Sequence, residues 1–218
     1  MDIALLTLLH LLIPVYWLGG DLGAFYGSGF MIDPKRTVPE RMMALTILNN
    51  IDMAPRTALI LALPTGVALG WAKGWLALSF TAVSAIWIGG LVWLALAWTV
   101  HLRHGQDVKR VRAVDLAIRY VVLLALVGGA VAGLSGSIQL PFFIAVKMLL
   151  LAACVGLGLI IRRQLVPLFP PIAAMRTQGP SPEGDRAIAG VIAQTRPMVL
   201  LIWLLVLAAS LLGIATPV

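Results

Sequence analysis

The sequence predicts an all-α fold: a polytopic bundle of about six transmembrane helices that forms a single domain over residues 1–218. Three observations predict it. Hydrophobic residues make up 61% of the chain and charged residues only 11%, whereas soluble domains are nearer half apolar and a quarter charged. The apolar residues come in runs of about 20, the length that a helix needs to cross the hydrocarbon core. The connections between the runs are alternately rich and poor in basic residues, and this alternation works cleanly only with six spans.

The six apolar runs predict six helices, because lipid offers the backbone no hydrogen-bond partners. Before the second run, residues 39–50 predict a short amphipathic helix with Met and Leu on one side. Between the fifth and sixth runs, residues 167–196 predict a loop with a short helix at the membrane interface. The predicted spans are residues 3–25, 55–71, 76–100, 114–134, 141–161 and 198–214.

Loop charges predict the orientation. Three connections, those after the first, third and fifth spans, carry almost all of the basic loop residues, and the other two hold a single one, Lys73. The positive-inside rule then places the three basic connections in the cytoplasm and both termini outside, in a bacterial inner membrane. The net charge of +7 therefore indicates contact with anionic membrane lipid and not with nucleic acid.

Two ionisable residues at a similar depth are the first candidates for a functional site. His10 lies about seven residues into the first span and Lys147 about six residues into the fifth, both from the predicted outer side. At about 1.5 Å per residue, each lies roughly 10 Å below the outer surface. Ionisable groups are expensive in hydrocarbon and mark functional sites. The alternatives are a hydrogen-bonded structural imidazole for His10 and an amine of Lys147 that snorkels to the interface.

A second candidate pair lies nearer the cytoplasmic side. Asp21 is predicted to pair with Arg119, which lies about one turn into the fourth span, and Asp115 competes for the same Arg119. The alternative is that this pair is structural. One helical face of the first span, which we expect to look into the bundle, carries the i, i+4, i+7, i+11 series His10, Pro14, Trp17 and Asp21.

The histidine count limits the ways in which haem could bind. Ligation by two histidines needs both at one depth, yet His101 and His104 lie at the opposite end from His10. Haem would therefore need His10 as its metal ligand, alone or with Lys147, Met148 or water. No nucleotide-binding, zinc or nucleophile-elbow motif is present.

His10 followed by Trp17-Leu18-Gly19-Gly20 resembles the first helix of the HemJ-like and CopD-like small membrane proteins. The stretch around Lys147, which ends in Arg162-Arg163, is similar to the lysine-bearing helix of those families. The resemblance implies a membrane oxidoreductase that binds haem b and oxidises protoporphyrinogen IX, using His10 and Lys147. HemJ-like proteins have fewer spans, and Asp21 has no counterpart in them.

On this interpretation each candidate residue has a role. His10 is the axial ligand, and Tyr16 and Trp17 line the porphyrin, a flat apolar body that suits an aromatic wall. Lys147 binds a propionate or substrate carboxylate, or accepts a proton. Electrons leave to a quinone or a redox partner protein. The candidate catalytic residues are Lys147, Asp21 and Arg119.

Two other functions stay open. A CopD-like permease for a metal or small solute would use His10, Asp21 and Arg119 as a polar path. A non-catalytic subunit would anchor a larger redox complex. A homo-oligomer is compatible with all three functions.

Overall fold

The computed structural model describes residues 2–103 and 109–216, and these residues are helical throughout apart from short connections and contain no strand. A 3₁₀ turn, Val166–Leu168, precedes the seventh helix. The α-helices are α1 Ile3–Ile32, α2 Val38–Ile51, α3 Met53–Ala72, α4 Phe80–Leu102, α5 Lys109–Leu134, α6 Phe142–Gln164, α7 Phe169–Gln178 and α8 Pro182–Ala215.

Six segments of the described chain are long and apolar enough to cross a membrane. They are α1, α2 together with α3, α4, α5, α6 together with α7, and α8. The predicted polytopic helical bundle is therefore confirmed, and so is the short helix at residues 39–50, which is α2. Which side of the membrane each loop faces stays a prediction.

The spanning helices pack as a closed ring. In the order α1, α3, α4, α5, α6 and α8, each helix contacts the next, and α8 contacts α1 again. Because successive spans alternate in direction, the basic connections meet at one end of the ring, here called the basic end. Both termini and the connections at residues 73–79 and 135–141 lie at the other end, here called the terminal end. Ionisable side chains that point into the interior of this ring do not face lipid.

Two predicted boundaries were wrong. α1 continues to Ile32, beyond residue 25, and α8 begins at Pro182 instead of residue 198. The start of α8 has a clear local cause, because Ser181 Oγ accepts a hydrogen bond from the Gly184 backbone N–H at 3.1 Å. A serine N-cap, a proline in the first turn and acidic residues near the N-terminus all favour a helix start. Residues 167–196 therefore hold α7 and the first turns of α8.

These first turns of α8 help to build a small domain-like cap at the basic end. Arg41 of α2 is fully buried there. Its Nε donates to the Met31 carbonyl at 2.8 Å, and its Nη1 lies 2.7 Å from Asp185 Oδ1. The pair ties α2 to α1 and α8 over a cluster of buried apolar side chains, Met31, Leu168, Met175, Ile188 and Ile192.

Candidate functional site

A cavity of about 400 Å³ lies in the terminal half of the ring. Residues of α1, α3, α5, α6 and α8 line it, together with the two terminal-end connections. Small-molecule sites typically enclose about 300–1,000 Å³ and are mostly apolar with a few polar groups. This lining has that character, and no acidic residue of the described chain contributes to it. Its ionisable side chains are His10, Lys73, Lys147 and the buried thiol of Cys154.

His10 is held in place by α3. Its Nδ1 lies 2.9 Å from the Oγ1 of the buried Thr65. Its ring also packs against Gly66, where an added Cβ would lie 3.1 Å from the imidazole Cε1. A side chain at position 66 would therefore push the ring away. Thr65 and Gly66 together fix both the position of the ring and one of its hydrogen bonds.

The hydrogen bonds of Thr65 favour one tautomer of His10. The Thr65 hydroxyl lies 2.6 Å from the Leu61 carbonyl and is placed to donate to it. Since a hydroxyl has one proton to donate, we assign Thr65 Oγ1 as the acceptor from His10 and assign the proton of the neutral ring to Nδ1. Nε2 then carries the lone pair and makes no hydrogen bond to any residue that the structure describes. This nitrogen can bind a metal or take up a proton.

Lys147 lines the same cavity and lies close enough to His10 for its charge to act on the imidazole. Both side chains therefore line the same cavity. Lys147 Nζ lies against α8, since a Cβ at Gly213 would come within 2.6 Å of it. No carboxylate within residues 2–103 and 109–216 pairs with this amine.

A second lysine lies at the mouth of the cavity. Lys73 Nζ lies 4.6 Å from the centre of the Trp75 ring, and Trp75 packs edge to face on Phe143 at 5.1 Å. The charge of Lys73 acts on Lys147. The α3–α4 connection therefore covers the cavity and adds a second cation, a role that sequence reasoning missed. Only its isolation among the outer connections could have drawn attention to Lys73.

The structure separates the two aromatic candidates. Trp17 is 4% exposed and lines the deep part of the cavity. Tyr16 is 63% exposed on the outside of the ring and does not line the cavity. Contrary to the expectation, Tyr16 forms no part of the wall of this cavity, because its side of α1 faces away from the interior of the ring.

The predicted pair of Asp21 and Arg119 is also wrong. Arg119 binds Asp115, with its Nε 3.1 Å from Asp115 Oδ2. The i, i+4 spacing along α5 makes this the nearer partner. Arg162 lies 3.3 Å from the same oxygen, and Trp93 Nε1 donates to Oδ1 at 3.0 Å. Arg119 is thus part of a buried cluster between α4, α5 and α6, away from the cavity. It therefore does not form the polar path with His10 and Asp21 that a permease was expected to have.

Asp21 lies below the cavity, towards the basic end. Its neighbours are the indoles of Trp17 and Trp203 and the carboxylate of Asp52. Asp21 makes no ion pair with any described residue.

Thr65, which sequence reasoning also missed, connects His10 to α3. Its only sequence signal is a polar residue between Pro64 and Gly66 in an otherwise apolar run.

The cavity offers a single histidine, His10, as a metal ligand. In the described chain, no group of three or more His, Cys, Asp or Glu side chains is placed so that it could hold a metal ion. His10 offers Nε2, its Nδ1 partner is in place as in most metal-binding histidines, and Trp17 offers an aromatic wall. Met148 lines the cavity as well. His101 lies near Trp98 at the basic end, and His104 lies outside the described residues.

Fold and site together define a multi-pass helical membrane protein with an apolar, cation-bearing cavity in one half of the bundle. No protein-family model matches the chain, and neither a curated protein nor a solved structure matches it.

Proposed function

We propose that this protein is a membrane oxidoreductase that binds haem b in the cavity, with His10 Nε2 as the axial ligand, and that it resembles HemJ-type protoporphyrinogen IX oxidases. One observation carries the proposal: His10 Nδ1 lies in hydrogen-bond contact with Thr65, whose hydroxyl is placed to donate to the Leu61 carbonyl, and Nε2 has no partner in the described chain. A histidine prepared in this way, inside an apolar cavity, is suited to a metal-centred ligand.

The remaining cavity residues have matching roles. Trp17 gives a flat apolar wall. Lys147 brings an amine with no carboxylate partner among the described residues, so an acidic group of the ligand can supply its counter-charge. Gly213 leaves room for that amine. Lys147 would also be able to take a proton released by the substrate.

Haem, when bound, supplies one-electron redox chemistry. Oxidation of a porphyrinogen to a porphyrin removes electrons and protons together, so the protein needs an electron acceptor. We assign that role to a membrane quinone or to a redox partner protein, since the sequence holds no motif for a further cofactor. The apolar walls of the cavity exclude water from this chemistry.

The test is the visible absorption spectrum of purified protein. We expect wild type to show a Soret band as isolated or after addition of haem, and His10→Ala to lose it. The matched control is His101→Ala, which removes a histidine at the basic end and leaves the band in place. A wild type that gains no Soret band from added haem would overturn the proposal. Solute uptake into proteoliposomes would then become the next measurement.

We further propose that the protein lies in a bacterial inner membrane with its basic end in the cytoplasm. The support is the concentration of Lys and Arg in the three connections of that end. Single cysteines in place of Lys73 and Arg176 test it, because a membrane-impermeant thiol reagent added to intact cells should label only the first. The native Cys154 is buried and serves as the background. Labelling of position 176 alone would reverse the orientation.

A further inference from the structure

The line of contact between α1 and α8, here called the α1–α8 seam, differs between the two halves of the bundle. In the basic half it is filled by the rings of Phe25 and Trp203, whose centres lie 5.6 Å apart. Arg196 of α8 also stacks on Phe25, with its guanidinium carbon 5.0 Å from the ring centre. Large side chains therefore separate the interior of the ring from lipid at this level.

The face of α1 that carries Phe25 continues towards the cavity. Residues 18, 14, 11 and 7 repeat its position at helical spacing, each within about 40° of Phe25 around the helix axis. Of these, Thr7, Leu11 and Pro14 line the cavity. Another side of α1 is occupied by α3, which His10 contacts, so this face looks towards α8. Leu11 lines the cavity and yet is 53% exposed.

The facing side of α8 carries small or exposed residues in the same half. Ser210 and Ile214 follow Trp203 by seven and eleven residues, so they lie on its face of the helix, and both line the cavity. Ile214 is 75% exposed. At Gly213, an added Cβ would meet the Lys147 side chain and no atom of α1 within 4 Å. Direct packing between the two helices is therefore loose at this level.

The two hydroxyl groups of the seam do not hold it closed. Thr7 Oγ1 donates to the Ile3 carbonyl and Ser210 Oγ donates to the Val206 carbonyl, each at 2.8 Å. Each hydroxyl proton is therefore used within its own helix. Since exposed residues of both helices also line the cavity, we infer that the seam opens to the surrounding lipid in the terminal half.

The end of the cavity that faces water is covered more firmly. The Trp75 backbone N–H donates to the Gly70 carbonyl at 2.8 Å, and the Trp75 ring packs on Phe143. Leu76 lies against Gly70, where an added Cβ would come within 3.0 Å of Leu76 Cδ1. A molecule in water therefore meets a fixed connection, whereas a molecule in the bilayer meets the open seam.

A cation lies directly inside the seam. Lys147 Nζ lies against Gly213 of α8, and no carboxylate of the described residues pairs with it. The rest of the lining near the seam is apolar or small. A molecule with an apolar body and a carboxylate at one end matches both features, because the carboxylate supplies the counter-charge of the amine and the body fills the apolar space.

We propose that the α1–α8 seam is a lateral entrance through which the cavity takes an amphipathic carboxylic acid directly from the bilayer. The carboxylate of the acid pairs with Lys147, and its apolar body occupies the cavity. No covalent bond forms or breaks in this step. Porphyrins with propionate groups belong to this chemical class, so the choice of ligand rests on the proposed function, whereas the entrance does not depend on haem.

The experiment is photolabelling of the full-length protein in lipid nanodiscs with a diazirine-bearing palmitic acid, with the labelled residues located by mass spectrometry. In wild type we expect adducts on cavity residues as well as on lipid-facing ones. Ser210→Trp places an indole in the seam and should lose the cavity adducts. The matched control is Leu211→Trp, because Leu211 is the next residue, is 65% exposed and lies outside the cavity lining. It should keep them.

The charge of the ligand is tested with the methyl ester of the same probe, which has the same body but no carboxylate. The ester should label lipid-facing positions and leave the cavity unlabelled. Equal labelling of the cavity by acid and ester would overturn the pairing with Lys147.

The other outcomes separate the claims. Cavity adducts that persist in Ser210→Trp overturn the entrance, and a wild type without cavity adducts overturns the ligand class. Should Ser210→Trp not fold, Leu11→Trp narrows the seam from the opposite helix, and its cavity adducts decide the same question. The Soret band, measured without the probe, reports on the haem proposal alone. A cavity that the acid labels but that gains no Soret band from added haem leaves the entrance in place and removes the haem.

Discussion

Replacement of Thr65 by valine is the most direct perturbation of the proposed haem site. Valine has nearly the same shape as threonine, so α3 and the contact with Gly66 keep their packing. The substitution removes the one atom that accepts from His10 Nδ1–H, at 2.9 Å. The buried N–H then has no acceptor, and the imidazole can turn or change tautomer. Nε2 loses its fixed lone pair in either case.

The size of the effect follows from the cost of a buried donor without a partner. That cost is about 1–3 kcal/mol, which corresponds to roughly 5- to 150-fold in a dissociation constant at about 1.4 kcal/mol per factor of ten. Loss of an outer-shell partner of a metal-bound histidine independently costs about 10–100-fold in metal affinity. We therefore expect haem to bind Thr65→Val about 10–100-fold more weakly than wild type.

The assay is titration of the purified protein with haem, followed by the Soret absorbance. Thr65→Ser is the matched control, because it keeps the hydroxyl and should bind within a few-fold of wild type. Equal affinity of wild type and Thr65→Val would refute the reasoning, since the hydrogen bond would then have no part in preparing His10. A loss of affinity in both variants would indicate a packing role for the Thr65 methyl group.

Three further predictions concern the rest of the bundle. Asp115→Asn leaves the buried Arg119 and the partly exposed Arg162 without their carboxylate partner. It should lower the free energy of unfolding by about 3 kcal/mol, seen as a lower melting temperature in detergent; unchanged melting would contradict it. Gly213→Ala should displace the Lys147 amine and weaken binding of carboxylate-bearing ligands, measured by titration, while melting stays near wild type. Arg41→Met should destabilise the cap at the basic end by about 3 kcal/mol, and faster proteolysis of the α7–α8 connection would report it.

Much of the fold could be predicted from the sequence, because in lipid each spanning segment must satisfy its own backbone hydrogen bonds. A run of apolar residues must be helical wherever it lies in the bundle, so six spans follow from composition and spacing alone. The errors fall where polar local signals decide. Ser181 and Pro182 start α8 well before its apolar run, and a hydropathy pattern does not reveal such capping signals. The start of α8 was predicted too late for this reason.

The site could be predicted only in part. The common depth of His10 and Lys147 is a one-dimensional property, and it can be counted along the sequence. Which residue faces which neighbour depends on rotation about each helix axis. Tyr16 was expected inside and lies outside. Arg119 was predicted to pair with Asp21, with Asp115 as the competitor, and the structure pairs it with Asp115, one turn away on its own helix. The contact between His10 and Thr65 joins residues far apart in the chain and has no local signature.

The distribution of charge within the ring connects these observations. In the basic half, the buried Arg41 and Arg119 and the partly exposed Arg162 each pair with a carboxylate, so their charges stabilise the fold. In the terminal half, Lys147 and the solvent-exposed Lys73 line a cavity to which no described acid contributes. A charge on Lys147 that is left uncompensated in a low-dielectric interior is unfavourable unless something neutralises it. A bound molecule with an acidic group would neutralise it, and binding would therefore supply the counter-charge that the folded chain does not provide.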